Sequence, residues 1–295
     1  MMRGSPAGLT YNEAAPPGEP RVMIRGQTFH RDALTSLARF DHPQDRPHQD
    51  PSEEVAARYS VSFIESGLFH LHAGGRHWRM DASTLFLTYP GFAYRCRHDD
   101  RMPMDVSLSI ECSEPLVEEV RSALGRRWRP RAACAPLTNR LAYLRHRLLE
   151  TAEGGEAPLA AGALAGELMM ALDSEADAAP GGRLFGPGQL VWYARRVEAV
   201  KERFAQQYSV PHTLAATARE VGMSPFHFSR VFRELTGVPP HRYLTKVRLA
   251  RAAQRLKSGD GVTETCLATG FNNLSHFIRA FHRAYGVSPS RYART

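Results

Sequence analysis

Two spacings divide the chain. From Tyr59 to Cys112 apolar and polar residues alternate, the period of half-buried strands; from Glu114 onward apolar residues recur every three or four, the period of helices. "YSVSFIESG" alternates through Val61 and Phe63 and breaks at Gly67. "LFHLHAGGRHWRM" predicts a hairpin with Gly74-Gly75 at its turn. "STLFLTYPGFAYRC" predicts two strands parted by Pro90-Gly91, and "MDVSLSIEC" a further strand. Short strands between turn signals predict a small barrel or sandwich over 59–112. Ahead of it, residues 1–20 are rich in Pro, Gly and Ala, and 42–54 is polar with three Pro; residues 1–58 read as a flexible N-terminus and arm.

The helical region opens with "EPLVEEVRSALG". Next, Leu137, Leu141, Leu144 and Leu148 share one stripe, and Leu164, Leu168 and Leu172 another. These predict a helical hairpin within 113–175, which either packs on the barrel or forms the seam of a homodimer. "ADAAPGGRLFGPGQ" (176–189) reads as a linker. From 190 to the end the pattern stays helical.

Within that last region the chain says one thing twice. "FSRVFRELTGVPPHRY" from Phe228 and "FIRAFHRAYGVSPSRY" from Phe277 share Phe, Arg, Phe, Gly, Val, Pro, Arg and Tyr at matching places. A self-match at fixed offset marks one structural unit used twice. "HTLAATAREVG" predicts a short helix ended by Gly222; Ser224 caps the next, Pro225 suits its first turn, and Gly237 ends it. The second copy runs through "VTETCLATG" and Gly270 to a helix capped by Asn272 or Asn273 and ended by Gly286, with its turn one residue longer. Two short helices about a tight turn form a helix-turn-helix, whose second helix enters a major groove. "PHRYLTKVRLARAAQRLKSG" between the copies predicts a helix of about 27 Å, long enough to hold two units near adjacent major grooves about 34 Å apart.

Charge points the same way. Residues 188–295 hold 17 Lys and Arg against 6 Asp and Glu, a net of +11, whereas residues 1–187 have a net of −3. Such asymmetry suggests that one part meets a polyanion. Phe228, Phe232, Phe277 and Phe281 recur at i, i+4 and are expected in the core, extended by Leu235 and Tyr285. The exposed faces are then Phe226, His227, Ser229, Arg230 and Arg233 in one helix, and Asn273, Ser275, His276, Arg279 and Arg283 in the other. Arg230 and Arg279 suit bidentate contact with guanine, and Phe226 a thymine methyl. The alternative for either Arg is a phosphate contact. His227 and His276 are expected to meet phosphate or to cap the fold.

At "GMSPFHFSRVFRELTG" and "GFNNLSHFIRAFHRAYGVSPSRY" the chain resembles the AraC/XylS family of bacterial transcription regulators. The resemblance is dense over about 190–292 and covers the rest only in outline. It implies an α+β chain: an N-terminal cupin-like β-barrel with a helical dimerisation segment, then an all-α DNA-binding domain of seven helices. It maps base reading onto Phe226, Ser229, Arg230, Ser275 and Arg279. It implies a small-molecule effector, promoter DNA and RNA polymerase as partners, and activation as the commoner mode. Thr217 and Thr265 depart from it, standing where the family more often has Leu or Ile, and Cys266 sits where it prefers a small buried residue.

For the N-terminal half the residues offer less. Phe63, Phe69, Trp78, Phe86 and Tyr94 are candidate effector contacts. His70 and His72 fall on one strand face with His77 beyond the turn, the beginning of a cupin metal set, but no Glu and His follow at matching spacing; a metal-binding cupin-type enzyme domain fused to a DNA-binding domain is thus the weaker alternative, and no metal, cofactor or catalytic residue is expected. A further alternative is a thiol sensor built on Cys96, between Arg95 and Arg97, and Cys112 on strands that could pair. Four Cys at unpatterned spacing make no disulfide framework. No run is apolar enough to span a bilayer and no leader pattern opens the chain, so no membrane partner and a cytoplasmic location are expected.

Overall fold

The computed structural model describes residues 9–11, 23–41, 53–98, 105–125, 133–154, 158–175 and 183–294. The chain divides into two compact units, Met1–Leu184 and Phe185–Thr295. Among the described residues no helix is long and apolar enough to cross a membrane.

The first unit is β-rich. Its strands are β1 (Leu9–Tyr11), β2 (Met23–Arg31), β3 (Thr35–Asp41), β4 (Glu54–Val55), β5 (Tyr59–Gly67), β6 (Phe69–Ala73), β7 (Arg76–Met80), β8 (Thr84–Thr88), β9 (Ala93–His98), β10 (Asp105–Cys112) and β11 (Cys134–Pro136). Helices α1 (Glu114–Leu124), α2 (Asn139–Gly154) and α3 (Pro158–Glu175) complete it. The strands form an antiparallel sheet of order β1-β2-β3-β10-β5-β8-β11 and another of order β4-β9-β6-β7. The β6–β7 hairpin turns at Gly74 and Gly75, both with positive φ, as the sequence predicts.

The two sheets meet across an apolar cluster of Ile64, Phe69, Leu71, Met80, Phe86 and Ala133, with Trp78, Tyr94 and Cys96 packed against it. The larger sheet buries its other face too. Cross-strand pairs place Leu37, Val61, Phe63, Leu85, Leu108 and Ile110 together there, and Arg145 of α2 lies 5.6 Å from the Phe63 ring centre.

Three expectations change. Residues 1–58 are not an arm throughout: β2 and β3 lie within them, and β3 pairs with β10 from Thr35 to Asp41. The turn between them is fixed by Asp32, whose Oδ1 accepts from the Leu34 and Thr35 amides, each at 2.7 Å. The remainder of that stretch, at 1–8, 12–22 and 42–52, lies outside the described residues. Leu141, Leu144, Leu148, Leu168 and Leu172 are buried in the first unit's own core, while Leu137 and Leu164 are half-buried, so most of each stripe is covered by packing within the unit. Of the expected linker, 176–182 lies outside the described residues, and a helix already begins at Pro187.

The second unit is helical: α4 (Pro187–Gln206), α5 (Leu214–Glu220), α6 (Pro225–Thr236), α7 (Pro240–Lys257), α8 (Val262–Ala268), α9 (Leu274–Tyr285) and α10 (Pro289–Tyr292). Its core holds Phe228, Val231, Phe232 and Leu235 on α6, and Phe277 and Phe281 on α9, none with measurable exposure. Fully burying each ring contributes roughly 1.5–3 kcal/mol. Tyr285 packs against the second cluster, and its hydroxyl donates to the Leu249 carbonyl.

Candidate nucleic-acid interface

Helices α5 and α6 form one helix-turn-helix, α8 and α9 the other. In the first, Gly222 bonds back to the Arg219 carbonyl and Met223 to that of Ala218; in the second, Gly270 bonds to Leu267 and Phe271 to Cys266. Both glycines have positive φ, 67° and 80°, which permits the reversal at no Cβ cost. Ser224 Oγ accepts from the His227 amide at 3.4 Å, and Asn273 Oδ1 accepts from the His276 amide at 2.8 Å. Asn273 is therefore the second cap, and its carbonyl oxygen is engaged within the chain.

The buried phenylalanines orient each second helix and leave its opposite side in solvent. Phe226 is 82% exposed. Arg230, Arg233, Ser275, Arg279 and Arg283 are exposed, and Ser229 is half-buried. Among the described residues none pairs with the side chains of Arg230, Arg233, Arg279 or Arg283.

Other arginines of this unit are engaged. Arg196 donates to the Val221 carbonyl at 2.9 Å, Arg203 pairs with Glu220 and donates to Thr217 Oγ1, and Arg255 pairs with Asp260 at 2.7 Å. Structural work thus falls to one set of arginines, while the exposed helices present another.

His227 is tied into the fold: its Nε2 and the Tyr193 hydroxyl share a 3.0 Å hydrogen bond. His276 lies against the Phe271 ring. Sequence reasoning missed Ile278, which takes the place of Ser229 in the second copy and is 37% exposed; the offset of 49 between the repeats would have found it.

A family model described as "Helix-turn-helix domain" matches residues 217–295. The second unit carries an AraC-type DNA-binding domain. The chain is 31% identical over 99 residues to the HTH-type transcriptional regulator MtrA of Neisseria gonorrhoeae, covering 33% of this chain and 32% of that one. It is 40% identical over 74 residues to an uncharacterized HTH-type transcriptional regulator of Haemophilus influenzae, a quarter of each chain. The crystal structure of a probable AraC family transcriptional regulator from Rhodopseudomonas palustris shares 27% identity, covering 34% of this chain and 95% of that one, with a TM-score of 0.33. The match to MtrA thus spans about a third of that relative's length. Within the AraC-type domain Ala218 and Cys266 are both buried where the first helix of each unit meets the second.

In the first unit, Phe69, Trp78, Phe86 and Tyr94 meet in one cluster, with Phe86 and Tyr94 edge-on at 4.9 Å. Phe63 is not among them; it pairs with Leu85 and Leu108 on the sheet's opposite face, under α2. Tyr94 donates to Glu54 Oε2 at 2.8 Å, and burial, then Glu54, pushes its phenol up.

The thiol arrangement does not hold. β9 and β10 belong to different sheets, and alternation turns Cys96 into the apolar cluster while Arg95 and Arg97 face outward. Burial, with Glu54 and Asp105, pushes the Cys96 thiol well up; burial and Glu111 push Cys112 up to about 12. Neither has the electropositive setting a reactive thiolate needs. His70 and His72 pair with Arg79, Arg97, His77 and Arg95 across the outer face of the smaller sheet. Neighbouring guanidinium charge disfavours a cation there. Among the described residues no three His, Cys, Asp or Glu are grouped to hold a metal.

Proposed function

We propose that the chain is a sequence-specific transcription regulator that binds double-stranded promoter DNA through α6 and α9, one in each of two successive major-groove segments. The observation that carries this is the pair of equivalent exposed arginines, Arg230 and Arg279, on helices whose opposite sides are locked in the core. Arg230 and Arg279 contact guanine edges, Phe226 and Ile278 thymine methyls. Ser229, Arg233, Ser275, Arg283 and the Asn273 amide line the same faces and contact bases or phosphates. The β-rich unit acts as a cupin-like sensor of a small effector. The aromatic cluster, and the hydroxyls of Ser60, Ser62, Ser109 and Thr88 on the same face of the larger sheet, support that reading. The regulator works in the cytoplasm as an activator that meets RNA polymerase. A homodimer would use a face other than the buried leucines Leu141, Leu144, Leu148, Leu168 and Leu172.

Residues 185–295 alone test the DNA-binding part. The logarithm of their binding constant for promoter DNA should fall linearly with log salt, at a slope of about −0.9 per phosphate neutralised. A fragment that folds but shows no salt-dependent binding would remove the basis of the regulator reading.

A further inference from the structure

Arg248 lies in the middle of α7, the helix that joins the two helix-turn-helix units. Its Nε donates to the Tyr208 carbonyl at 2.7 Å, and a terminal nitrogen donates to the Val210 carbonyl at 3.0 Å. One guanidinium therefore holds two carbonyls of the segment between α4 and α5, which leads into the first helix-turn-helix. Arg251 lies 5.7 Å from the centre of the Tyr208 ring, close enough for a cation–π contact.

The same segment touches the second helix-turn-helix. At Gly270, in the turn between α8 and α9, a Cβ would sit 2.6 Å from the Ser209 carbonyl oxygen and 3.0 Å from a terminal nitrogen of Arg248. At Gly222, its counterpart in the first helix-turn-helix, a Cβ would meet nothing within 4 Å. Backbone conformation asks for glycine at both turns; only the second is also pressed against a neighbouring segment. Each helix-turn-helix packs on α7, Phe232 against Tyr243 in the first, and Phe277 and Phe281 with Leu249, Ala252 and Leu256 in the second. The segment 208–210 adds a second connection, between the approach to the first helix-turn-helix and the turn of the second, with Arg248 as its fastener.

We propose that Arg248 is a positioning residue: with Gly270 and the Tyr208–Val210 segment it fixes how α6 and α9 sit relative to each other, and so sets the spacing between the two DNA segments the protein accepts. The proposal rests on the two-segment reading above. It assigns specificity to a residue that needs no contact with a base, because a linked second site adds affinity only when geometry lets both sites engage at once.

The test uses the full chain and DNA in which the two recognised segments are separated by graded spacers around one helical turn, about 10–10.5 base pairs centre to centre. For the wild type, the best spacer should exceed a single segment by on the order of 100-fold. Arg248→Met keeps the apolar stem out to about the position of Nε and removes both hydrogen bonds. It should cut that advantage to about tenfold and flatten the spacing profile, with single-segment affinity changed less than about twofold. If Arg248→Met does not fold, Gly270→Ala, which pushes the segment off the turn, is read in the same way and should shift the optimum or broaden it. An unchanged spacing profile in the folded variant would overturn the proposal. Equal proportional loss on one-segment and two-segment DNA would also overturn it, by showing a merely structural role. A wild type with no spacing optimum at all would instead defeat the two-segment reading.

Discussion

In the first helix-turn-helix the turn runs from Gly222 to the Ser224 cap; in the second it runs from Gly270 to Asn273, one residue longer. The interiors hardly differ: Phe228 and Phe232 match Phe277 and Phe281, all fully buried. The outer faces differ at most positions, with His227 and His276 as one matching pair. Phe226 faces Ser275 across the alignment and Ser229 faces Ile278, while Arg230 and Arg279 agree. Packing fixes what repeats, because each short helix must bury the same ring pair against its partner. The solvent face is under no such demand and can differ where the two units meet different base pairs. His227 and His276 also agree, but they are engaged within the fold, at the Tyr193 hydroxyl and the Phe271 ring, so arginine at both 230 and 279 is the match that needs a reason other than packing.

Three substitutions, each made in both units, sharpen that comparison. Phe228→Ala and Phe277→Ala should each cost about 3–5 kcal/mol in denaturant unfolding of residues 185–295, with near-equal losses. A large inequality would mean that the two cores are not equivalent. Gly270→Ala combines a positive φ with displacement of Ser209 and should cost more than about 2 kcal/mol, against about 1–2 kcal/mol for Gly222→Ala, where only the backbone is strained. Equal melting shifts would break the asymmetry between the turns. The smallest effect concerns two buried threonines. Thr217 Oγ1 accepts from Arg203 at 3.2 Å, whereas Thr265 Oγ1 is buried without a partner among the described residues. Thr217→Val should destabilise by about 1 kcal/mol, while Thr265→Val should be neutral or stabilising by a similar amount. Destabilisation of the same size by both would show that Thr265 is satisfied after all.

The repeat, the caps, the turn glycines and the buried phenylalanines were all legible in the sequence, because each is a local pattern a few residues long. What escaped it depends on distant pairing. Nothing within 35–41 says that β3 will pair with β10. Alternation puts Val61 and Phe63 on one face of β5 but cannot say which face meets the smaller sheet, so the sequence does not separate Phe63 from the aromatics of the cluster on the other face. A leucine stripe has the same look whether it is covered by its own unit or by a second copy. Charge counts give 17 basic residues in 188–295, yet only the fold separates Arg196, Arg203, Arg248 and Arg255, which find carbonyls or carboxylates, from Arg230 and Arg279, which do not.

The central claim is that both units read base sequence. Its most direct test is the affinity of the wild type, Arg230→Ala and Arg279→Ala on a library of randomised sites at two salt concentrations. Each variant should lose about 1–3 kcal/mol at the preferred site and relax selection at one position, the two positions lying roughly one helical turn apart, with much smaller losses on random DNA. Uniform weakening across all sequences, with selection unchanged and the salt slope lowered by about one, would show phosphate contacts instead and contradict the claim.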